Sequence, residues 1–307
     1  MQRILFTAFL SVLLCACGRE TNNRLDMLRS EIAVVAAEAP AQVGVAVIFD
    51  GGDTLTVNNS ADYPLMSMFK LHQAVAVCRK AMEGAWTLDS TFIIDRRDLD
   101  ANTWSPMLKT FSADTMSVTL GTLIDYILID SDNNASNLLF DRFVNVASTD
   151  SIVRSLVPAG AFALRHREAD MVRDHELAYE NVSSPMAYAV LIDSLFSSER
   201  FLDAPSRDYV ISDMKRCVTG MNRIAAGLPD GAVLGHRTGS GYVNEAGVLV
   251  AQNDGGSVEL PCGTFYTIAV FVKDYAGPAE DAEAVIARIS AMVAEFAAGR
   301  GAEHVRK

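Results

Sequence analysis

Residues 64–82, PLMSMFKLHQAVAVCRKAM, are the most informative stretch of this 307-residue sequence. From Met66 to Cys78 the stretch is apolar almost all round a helical repeat, which predicts a helix in the centre of the fold. Ser67 and Lys70 lie three residues apart, so they share one face of this helix. A lysine shielded from water loses its proton more readily and can act as a base toward a hydroxyl. The pair is therefore a candidate nucleophile and base, with a capping serine and a snorkelling lysine as the alternative interpretation.

Predicted strands lie on both sides of a block of predicted helices. Residues 42–50 and 54–58 indicate a hairpin turned by Gly51-Gly52, and later strands are predicted at 233–238, 247–252 and 264–273. Helices are predicted at 24–38, 67–82, 118–129, 134–145, 184–196, 204–215 and 279–297. We therefore expect an α/β lobe from residues 18–66 and 216–307, a helical lobe from residues 67–215, and a cleft between the lobes.

Composition excludes several classes of protein. Half of the residues are apolar, as in a folded globular chain, and 38 acidic residues against 26 basic ones give a net charge of -12. Such a charge repels phosphate backbones, so nucleic-acid binding is excluded. Cys78, Cys217 and Cys262 show no metal-ligand spacing, which argues against a zinc site. We expect these three cysteines to be small buried hydrophobic residues, with one disulfide between two of them as the alternative.

The N-terminus has the pattern of a targeting segment. Arg3 precedes an apolar run at residues 4–14, which is too short to span a bilayer and suits a signal peptide. The run leads into Leu14-Cys15-Ala16-Cys17-Gly18, which resembles a bacterial lipobox. Residues 1–17 are thus a predicted signal peptide with lipidation at Cys17, and an ordinary secretory signal is the alternative. The expected location is periplasmic, on a lipid anchor.

Two more motifs follow the Ser67–Lys70 pair. Ser131-Asp132-Asn133 lies between two predicted helices, and residues 236–241, HRTGSG, end a predicted strand. Taken alone, the first is typical of a turn with a helix cap, and the second of a strand edge. No G-x-S-x-G elbow, H-E-x-x-H pair or glycine-rich phosphate loop competes with them. His72 and His236 lie near the motifs, and we interpret both as packing or supporting residues.

Taken together in this order, the three motifs resemble those of the class A serine β-lactamases. The resemblance covers about residues 25–300 and is closest to the branch found in Bacteroides relatives. It implies a two-lobed α/β (α+β) fold, in which a five-stranded antiparallel sheet with flanking helices joins an all-helical lobe. It also implies a monomeric enzyme without metal or other cofactor, which binds β-lactam small molecules and meets a membrane only through its lipid anchor.

The resemblance implies a role for each matching residue. Ser67 would open the lactam amide, Lys70 would help remove its proton, and Ser131 would pass a proton to the lactam nitrogen. Glu168 would activate the hydrolytic water, and Lys70 and Glu168 both stand as the base of acylation. The backbone N–H groups of Ser67 and Ser240 would form the oxyanion hole.

Substrate binding is implied for a second set of residues. Asn133 would hold the substrate's side-chain amide, and Arg237, Thr238 and Ser240 would grip its carboxylate. Trp104, in a Trp-Ser-Pro segment similar to the family's, would flank the cleft.

The sequence departs from the family pattern in three ways, at four residues. Arg237 replaces a lysine and can bind a carboxylate but cannot relay protons. His166 and Asn181 replace the ion pair that normally pins the Glu168 loop, so the rigidity of the loop is in doubt. Val172 replaces a polar side chain that helps to hold the water, which predicts slow deacylation. The alternative functions are therefore a penicillin-binding D-Ala-D-Ala peptidase and a β-lactam sensor that stays acylated.

Overall fold

A computed structural model describes residues 23–84 and 86–305. The predicted signal peptide and its Cys17 lie outside the described residues. No helix of the described part is both long and apolar enough to cross a membrane.

The described chain alternates between helices and strands. The α-helices, α1 to α9, are 23–38, Phe69–Met82, Leu120–Ile129, Asn133–Arg142, Val146–Arg154, Glu168–Arg173, Pro185–Ser197, Ala204–Lys215 and Ala279–Val305. The strands, β1 to β10, are Gln42–Phe49, Thr54–Val57, Tyr63–Pro64, Thr91–Asp95, Thr115–Thr119, Phe162–Ala163, Val182–Ser183, Val233–Ser240, Leu249–Glu259 and Phe265–Tyr275. Short 3-10 helices occupy Met66–Met68, Arg96–Asp98, Met107–Thr110, His175–Glu180 and Ile224–Gly227.

The main sheet has five antiparallel strands in the order β2-β1-β10-β9-β8. Alternate residues of its strands point to opposite faces, as the two-residue period of a strand requires. Val45 and Val47 join a core with the apolar residues of α1 and α9, whereas Ala46 between them joins the core of the helical block. The expected five-stranded antiparallel sheet with flanking helices is confirmed.

Helix α2 runs through the middle of the core of the helical block, which Ala46 also joins. Its first ten residues, Phe69–Cys78, are all buried, and Lys70 and His72 are completely inaccessible to solvent. This agrees with the central position predicted from its apolar composition. The division of the chain into lobes at residues 66 and 215 stays a prediction.

The structure differs from the predicted elements in several places, and strands β3 to β7 were not predicted. The helix expected at 118–129 begins at Leu120, because Val118 and Thr119 pair with β4 as the end of β5. Helices α5 and α6 were not predicted. Strand β9 continues to Glu259, well past the predicted end at 252, because its glycines pack against neighbours rather than turning the chain. A Cβ atom on Gly255 would lie 2.7 Å from the Tyr188 ring.

The cysteines agree only in part with the expectation. All three are free thiols, and Cys78 and Cys217 are buried. The expectation of burial is wrong for Cys262, which is exposed in the turn between β9 and β10. Residues 261–263 of this turn are all exposed.

Candidate active site

The start of α2 presents Ser67 to a cleft. Ser67 lies in the 3-10 turn Met66–Met68, which leads directly into the helix, and Met66 has a left-handed φ of +46°. Such a conformation costs energy in a non-glycine residue and is typical of functional sites. The Ser67 Oγ accepts a hydrogen bond from Lys70 Nζ at 2.9 Å and donates one to Glu168 Oε1 at 3.1 Å. A hydroxyl between an amine and a carboxylate is the arrangement of an activated nucleophile.

Lys70 is surrounded by acceptors. Its Nζ lies 2.6 Å from Glu168 Oε1, 2.6 Å from Asn133 Oδ1 and 3.0 Å from the Ser131 carbonyl. Burial lowers the pKa of Lys70 to about 8, although the Glu168 carboxylate acts in the opposite direction. A lysine with this pKa exchanges its proton near neutral pH, as a general base requires.

The Ser131-Asp132-Asn133 segment connects the groups around Lys70 to the segment that follows Trp104. The buried Asp132 carboxylate caps α4 at Ala135 N, 2.8 Å away, and accepts from Ser105 Oγ at 2.9 Å and from Met107 N at 2.7 Å. Burial raises the pKa of Asp132. Asp132 thus fixes the segment after Trp104, and Ser131 is left with a φ of +62° and its Oγ 3.3 Å from Lys70 Nζ.

Strand β8 forms the opposite wall and carries Arg237, Thr238 and Ser240. Arg237 is completely buried and does not line the cleft. Its guanidinium donates to the Ser131 hydroxyl and, at 3.3 Å, to the Thr219 hydroxyl. The structure thus places Arg237 directly behind two hydroxyls that line the cleft, and its predicted role in binding a substrate carboxylate stays a prediction. Thr238 and Ser240 do face the cleft.

Sequence reasoning missed two residues of this wall. Thr219 lines the cleft and shares a hydrogen bond with the Thr238 hydroxyl. Arg223 is buried and donates to Ser240 Oγ at 2.6 Å while its Nε lies 3.1 Å from Glu283 Oε1. Nothing in the sequence pattern marks Arg223, because its partners come from β8 and from α9.

His236 agrees with the supporting role expected for it. It is buried, and its Nδ1 lies 2.9 Å from Asp254 Oδ1. Burial acts to lower the pKa of His236, but the Asp254 carboxylate outweighs it and raises the value to about 10. Asp254 also accepts from Ile224 N at 3.1 Å, directly after Arg223.

The Glu168 side chain lies on a loop of residues 165–181, called the Glu168 loop below. Asn181 is completely buried, and its Oδ1 accepts from Arg165 N at 2.8 Å and from His166 N at 3.0 Å. Its Nδ2 donates to the His166 carbonyl at 2.8 Å, and the His166 ring pairs with Glu180 at 3.0 Å. These hydrogen bonds join the two ends of the loop. They do so although His166 and Asn181 cannot form the ion pair that the family normally has at these two positions.

Val172 lies outside the cleft. Its side chain is 45% exposed and lines a neighbouring groove on the outer side of the loop. The sequence places Val172 at the hydrolytic water, but its neighbours in the structure include Tyr242 and Glu245 rather than Ser67.

These side chains enclose a cleft of about 310 Å³. It is lined by Met66, Ser67, Trp104, Ser131, Asn133, Glu168, Thr219, Thr238 and Ser240. The cleft combines a nucleophile, two bases, a hydroxyl held by a buried cation and a wall of hydroxyl donors, which are the parts of an acyl-transfer site. Within residues 23–84 and 86–305, no three His, Cys, Asp or Glu side chains are grouped to hold a metal ion.

Comparison with known proteins agrees with this geometry. Residues 27–297 match the family described as "Beta-lactamase enzyme family". A beta-lactamase of Phocaeicola vulgatus is 45% identical over 270 residues, which cover 87% of this chain and 84% of the relative. The crystal structure of a class A beta-lactamase of Bacteroides cellulosilyticus is similar with a TM-score of 0.82 at 30% identity, covering 88% of this chain and 96% of that one. The TLA-3 extended-spectrum beta-lactamase gives 0.85 at 30% identity, covering 88% and 98%.

Proposed function

The chain belongs to the beta-lactamase enzyme family as a class A serine β-lactamase, and we propose that it hydrolyses β-lactam antibiotics through an acyl-enzyme on Ser67. One observation carries this mechanism: the Ser67 Oγ lies within hydrogen-bond distance of both Lys70 Nζ and Glu168 Oε1. The nucleophile can therefore lose its proton to a group already in contact with it.

In the acylation step, Ser67 Oγ attacks the lactam carbonyl carbon and its proton passes to the Lys70–Glu168 pair. The C–N bond of the lactam then breaks, and the Ser131 hydroxyl gives a proton to the nitrogen. Ser131 is suited to this task because its Oγ lies 3.3 Å from Lys70 Nζ, from which it regains a proton. The backbone N–H groups of Ser67 and Ser240 stabilise the oxyanion.

In the deacylation step, Glu168 takes a proton from water, whose oxygen attacks the ester carbon. The C–O bond to Ser67 then breaks, and Ser67 Oγ takes up the proton through the Lys70–Glu168 pair, which is within hydrogen-bond distance of it. Glu168 is only 7% exposed, so its carboxylate acts in a largely dry environment. The contact between Glu168 and the nucleophile favours turnover over the two alternatives, a D-Ala-D-Ala peptidase and a sensor that stays acylated.

Substrate binding depends on the side of the cleft that carries the hydroxyls of Thr219, Thr238 and Ser240, called the hydroxyl wall below. Thr238 and Ser240 hold the substrate carboxylate, and the buried Arg237 and Arg223 supply positive charge behind them. Asn133 lines the cleft and holds the substrate's side-chain amide, and its own amide is oriented by hydrogen bonds from Nδ2 to the Thr103 hydroxyl at 2.9 Å and from Lys70 to its Oδ1. Trp104 is 58% exposed at the mouth of the cleft and flanks the substrate.

Mass spectrometry tests the acyl-enzyme. A slow β-lactam should add one inhibitor mass to the peptide that carries Ser67, and Ser67→Ala should neither gain this mass nor turn over a chromogenic cephalosporin. The alanine variant should still bind substrate, because Asn133, Thr238 and Ser240 remain. An undiminished rate in Ser67→Ala would end the serine mechanism.

We further propose that the range of substrates is broad, as the name of the TLA-3 relative says of that enzyme. The experiment is a panel of penicillins, cephalosporins with bulky side chains and carbapenems, with kcat/KM measured for each. Activity confined to penicillins would contradict the proposal.

For the location, we propose export by residues 1–17, lipidation of Cys17 and a monomeric periplasmic enzyme. A diacyl anchor would hold the protein on a membrane through lipid alone. Wild type should sediment with membranes, and Cys17→Ser should be released or remain an uncleaved precursor. Wild type found wholly in the soluble periplasmic fraction would reject the anchor, and a dimer of the 18–307 fragment in size-exclusion chromatography would reject the monomer.

A further inference from the structure

The Glu168 loop touches the turn between β8 and β9 through two aromatic rings. The Tyr242 hydroxyl donates to the His175 carbonyl oxygen at 2.6 Å, and the two rings lie 4.1 Å apart between centroids with 34° between their planes. We call this contact the clasp. Tyr242 follows Ser240 by two residues, and His175 follows Glu168 by seven. The clasp thus joins the strand that binds substrate to the loop that carries the hydrolytic base.

The turn that carries Tyr242 has its own backbone support. Gly241 N donates to the Ala251 carbonyl at 2.7 Å, and Asn244 N donates to the Val248 carbonyl at 2.9 Å. Tyr242 is therefore presented from a hydrogen-bonded turn rather than from a free loop. The turn can hold the loop in place, because its own position does not depend on the loop.

The loop has little other packing at this point. Residues 172–176 are all exposed, and they form one side of a groove of about 550 Å³ whose other side is residues 242–246. A second tyrosine holds the far end of the loop, where the Tyr179 hydroxyl donates to Asp274 Oδ1 at 2.6 Å. Burial and the neighbouring Asp274 carboxylate raise the pKa of Tyr179, so the phenol keeps its proton and stays a donor. The start of the loop is held against the core by Met171, which is buried, and by the hydrogen bond from Ala169 N to Asn137 Oδ1 at 3.2 Å. Along the exposed residues 172–176, the clasp is the contact that ties the loop to the turn after β8.

We propose that Tyr242 and His175 are positioning residues for the hydrolysis of the acyl-enzyme. They hold the Glu168 loop, so that the Glu168 carboxylate stays within reach of the water that attacks the ester carbon. The proposal rests on the β-lactamase activity and adds a determinant of the deacylation step. General-base catalysis by Glu168 needs a water within hydrogen-bond reach, and small displacements of a catalytic group cost large factors in rate. Acylation uses Ser67, in the turn before α2, and Lys70 on α2. Lys70 Nζ, 2.9 Å from Ser67 Oγ, can take the Ser67 proton when Glu168 is displaced, so acylation should be nearly insensitive to the clasp.

Two substitutions separate the parts of the clasp. Tyr242→Phe removes the hydrogen bond and keeps the ring contact, whereas His175→Ala removes the ring contact and keeps the carbonyl acceptor. With pre-steady-state kinetics on a chromogenic cephalosporin, we expect Tyr242→Phe to slow deacylation about 5-fold and His175→Ala about 3-fold, which corresponds to the loss of one modest contact each. Acylation should change less than 2-fold in both variants.

Tyr209→Phe is the matched control. It removes an equivalent hydrogen bond, from the Tyr209 hydroxyl to Asp125 Oδ1 at 2.7 Å, in a contact between α8 and α3 outside the Glu168 loop. This variant should keep the deacylation rate of wild type. Equal slowing in Tyr242→Phe and Tyr209→Phe, or a parallel fall in acylation and deacylation of Tyr242→Phe, would overturn the proposal.

A double-mutant cycle tests whether the clasp acts through Glu168. In a Glu168→Gln background, Tyr242→Phe should slow the decay of the acyl-enzyme by less than 2-fold, because the base that the clasp positions is already lost. If Tyr242→Phe slows this decay about 5-fold in that background too, the clasp acts on something other than Glu168 and the proposal fails. Failure of the β-lactamase mechanism itself would look different, because wild type would then form no acyl-enzyme.

Discussion

Lys70 and Asn181 are both completely buried, yet they hold the two halves of the active site in different ways. Lys70 lies on α2, whose first ten residues are buried, and it links Ser67, Ser131 and Asn133 within the core. Asn181 joins the two ends of a loop and also contacts Met171, and residues 172–176 of that loop are exposed. The groups that form the acyl-enzyme are thus fixed by the core alone. Glu168 also contacts the core, through Lys70 Nζ at 2.6 Å, but its loop depends in addition on contacts at its ends and along the exposed residues 172–176. Acylation and deacylation should therefore respond separately to mutation.

The largest effect is expected from Glu168→Gln. Loss of the general base should slow deacylation by about 10²-fold to 10⁴-fold, so that acyl-enzyme accumulates. Stopped-flow and mass spectrometry measure the two steps. Glu83→Gln is the matched control, because Glu83 is an exposed carboxylate outside the Glu168 loop that pairs with Lys80 at 2.7 Å. If Glu168→Gln reduced both steps equally, the separation between core and loop would fail.

Asn181→Ala should have the next largest effect. It leaves the N–H groups of Arg165 and His166 without their acceptor, which should cost about 2 to 3 kcal/mol in the free energy of unfolding. Deacylation should slow about 10-fold because the loop opens at its base. Urea unfolding and pre-steady-state kinetics are the measurements.

Asn145→Ala is the comparison for that variant. Asn145 caps α5 at Ser148 N, 2.9 Å away, and its loss should cost about 1 kcal/mol and leave deacylation unchanged. Slow deacylation in both variants would mean that general instability, rather than the loop, controls the step.

The core around α2 should lose stability at acidic pH. His72 is buried on α2 and stacks on Phe162 with ring centroids 4.5 Å apart, and burial lowers its pKa to about 3. The unfolded chain takes up this proton near pH 6.5, so the contribution of His72 to stability is complete above pH 6.5 and is lost as the pH falls toward 3. The loss should approach about 1.4 kcal/mol per pH unit below pH 6, or roughly 2 kcal/mol at pH 5.

His72→Phe, which keeps a ring in the same place, should reduce this pH dependence. The measurement is the free energy of unfolding in urea at pH 7, 6 and 5 for both proteins. An identical pH slope in the variant would show that His72 is not responsible.

The smallest effect is expected from Val172→Asn. From the sequence alone, this substitution should speed deacylation by restoring a hydrogen bond to the water. In the structure the Val172 side chain points into the outer groove, so the expected change in the deacylation rate is less than 2-fold. A 5-fold faster deacylation in Val172→Asn would show that the side chain of residue 172 does contact the hydrolytic water.

Much of the site was predictable because its residues lie in short motifs with strong local preferences. Ser67, Ser131 and Ser240 come from three segments that are far apart in the chain, yet each segment has a recognisable pattern, and all three residues line one cleft. The confirmed family and fold follow from the same motifs. Arg223 could not be found in this way, because a buried arginine has no sequence signature without its partners.

The residue types of the sequence determined the family, the sheet and helices, and the set of groups available for acyl transfer. Only the tertiary structure decided that Arg237 lies behind the hydroxyl wall, that Asn181 replaces an ion pair at the loop ends, and that Val172 faces outward. The physical reason is that periodicity and motif spacing act over a few residues, through one helix turn or one strand. The direction of a buried cation or a loop side chain is set instead by partners from distant segments, such as the Ser131 and Thr219 hydroxyls that receive the Arg237 guanidinium.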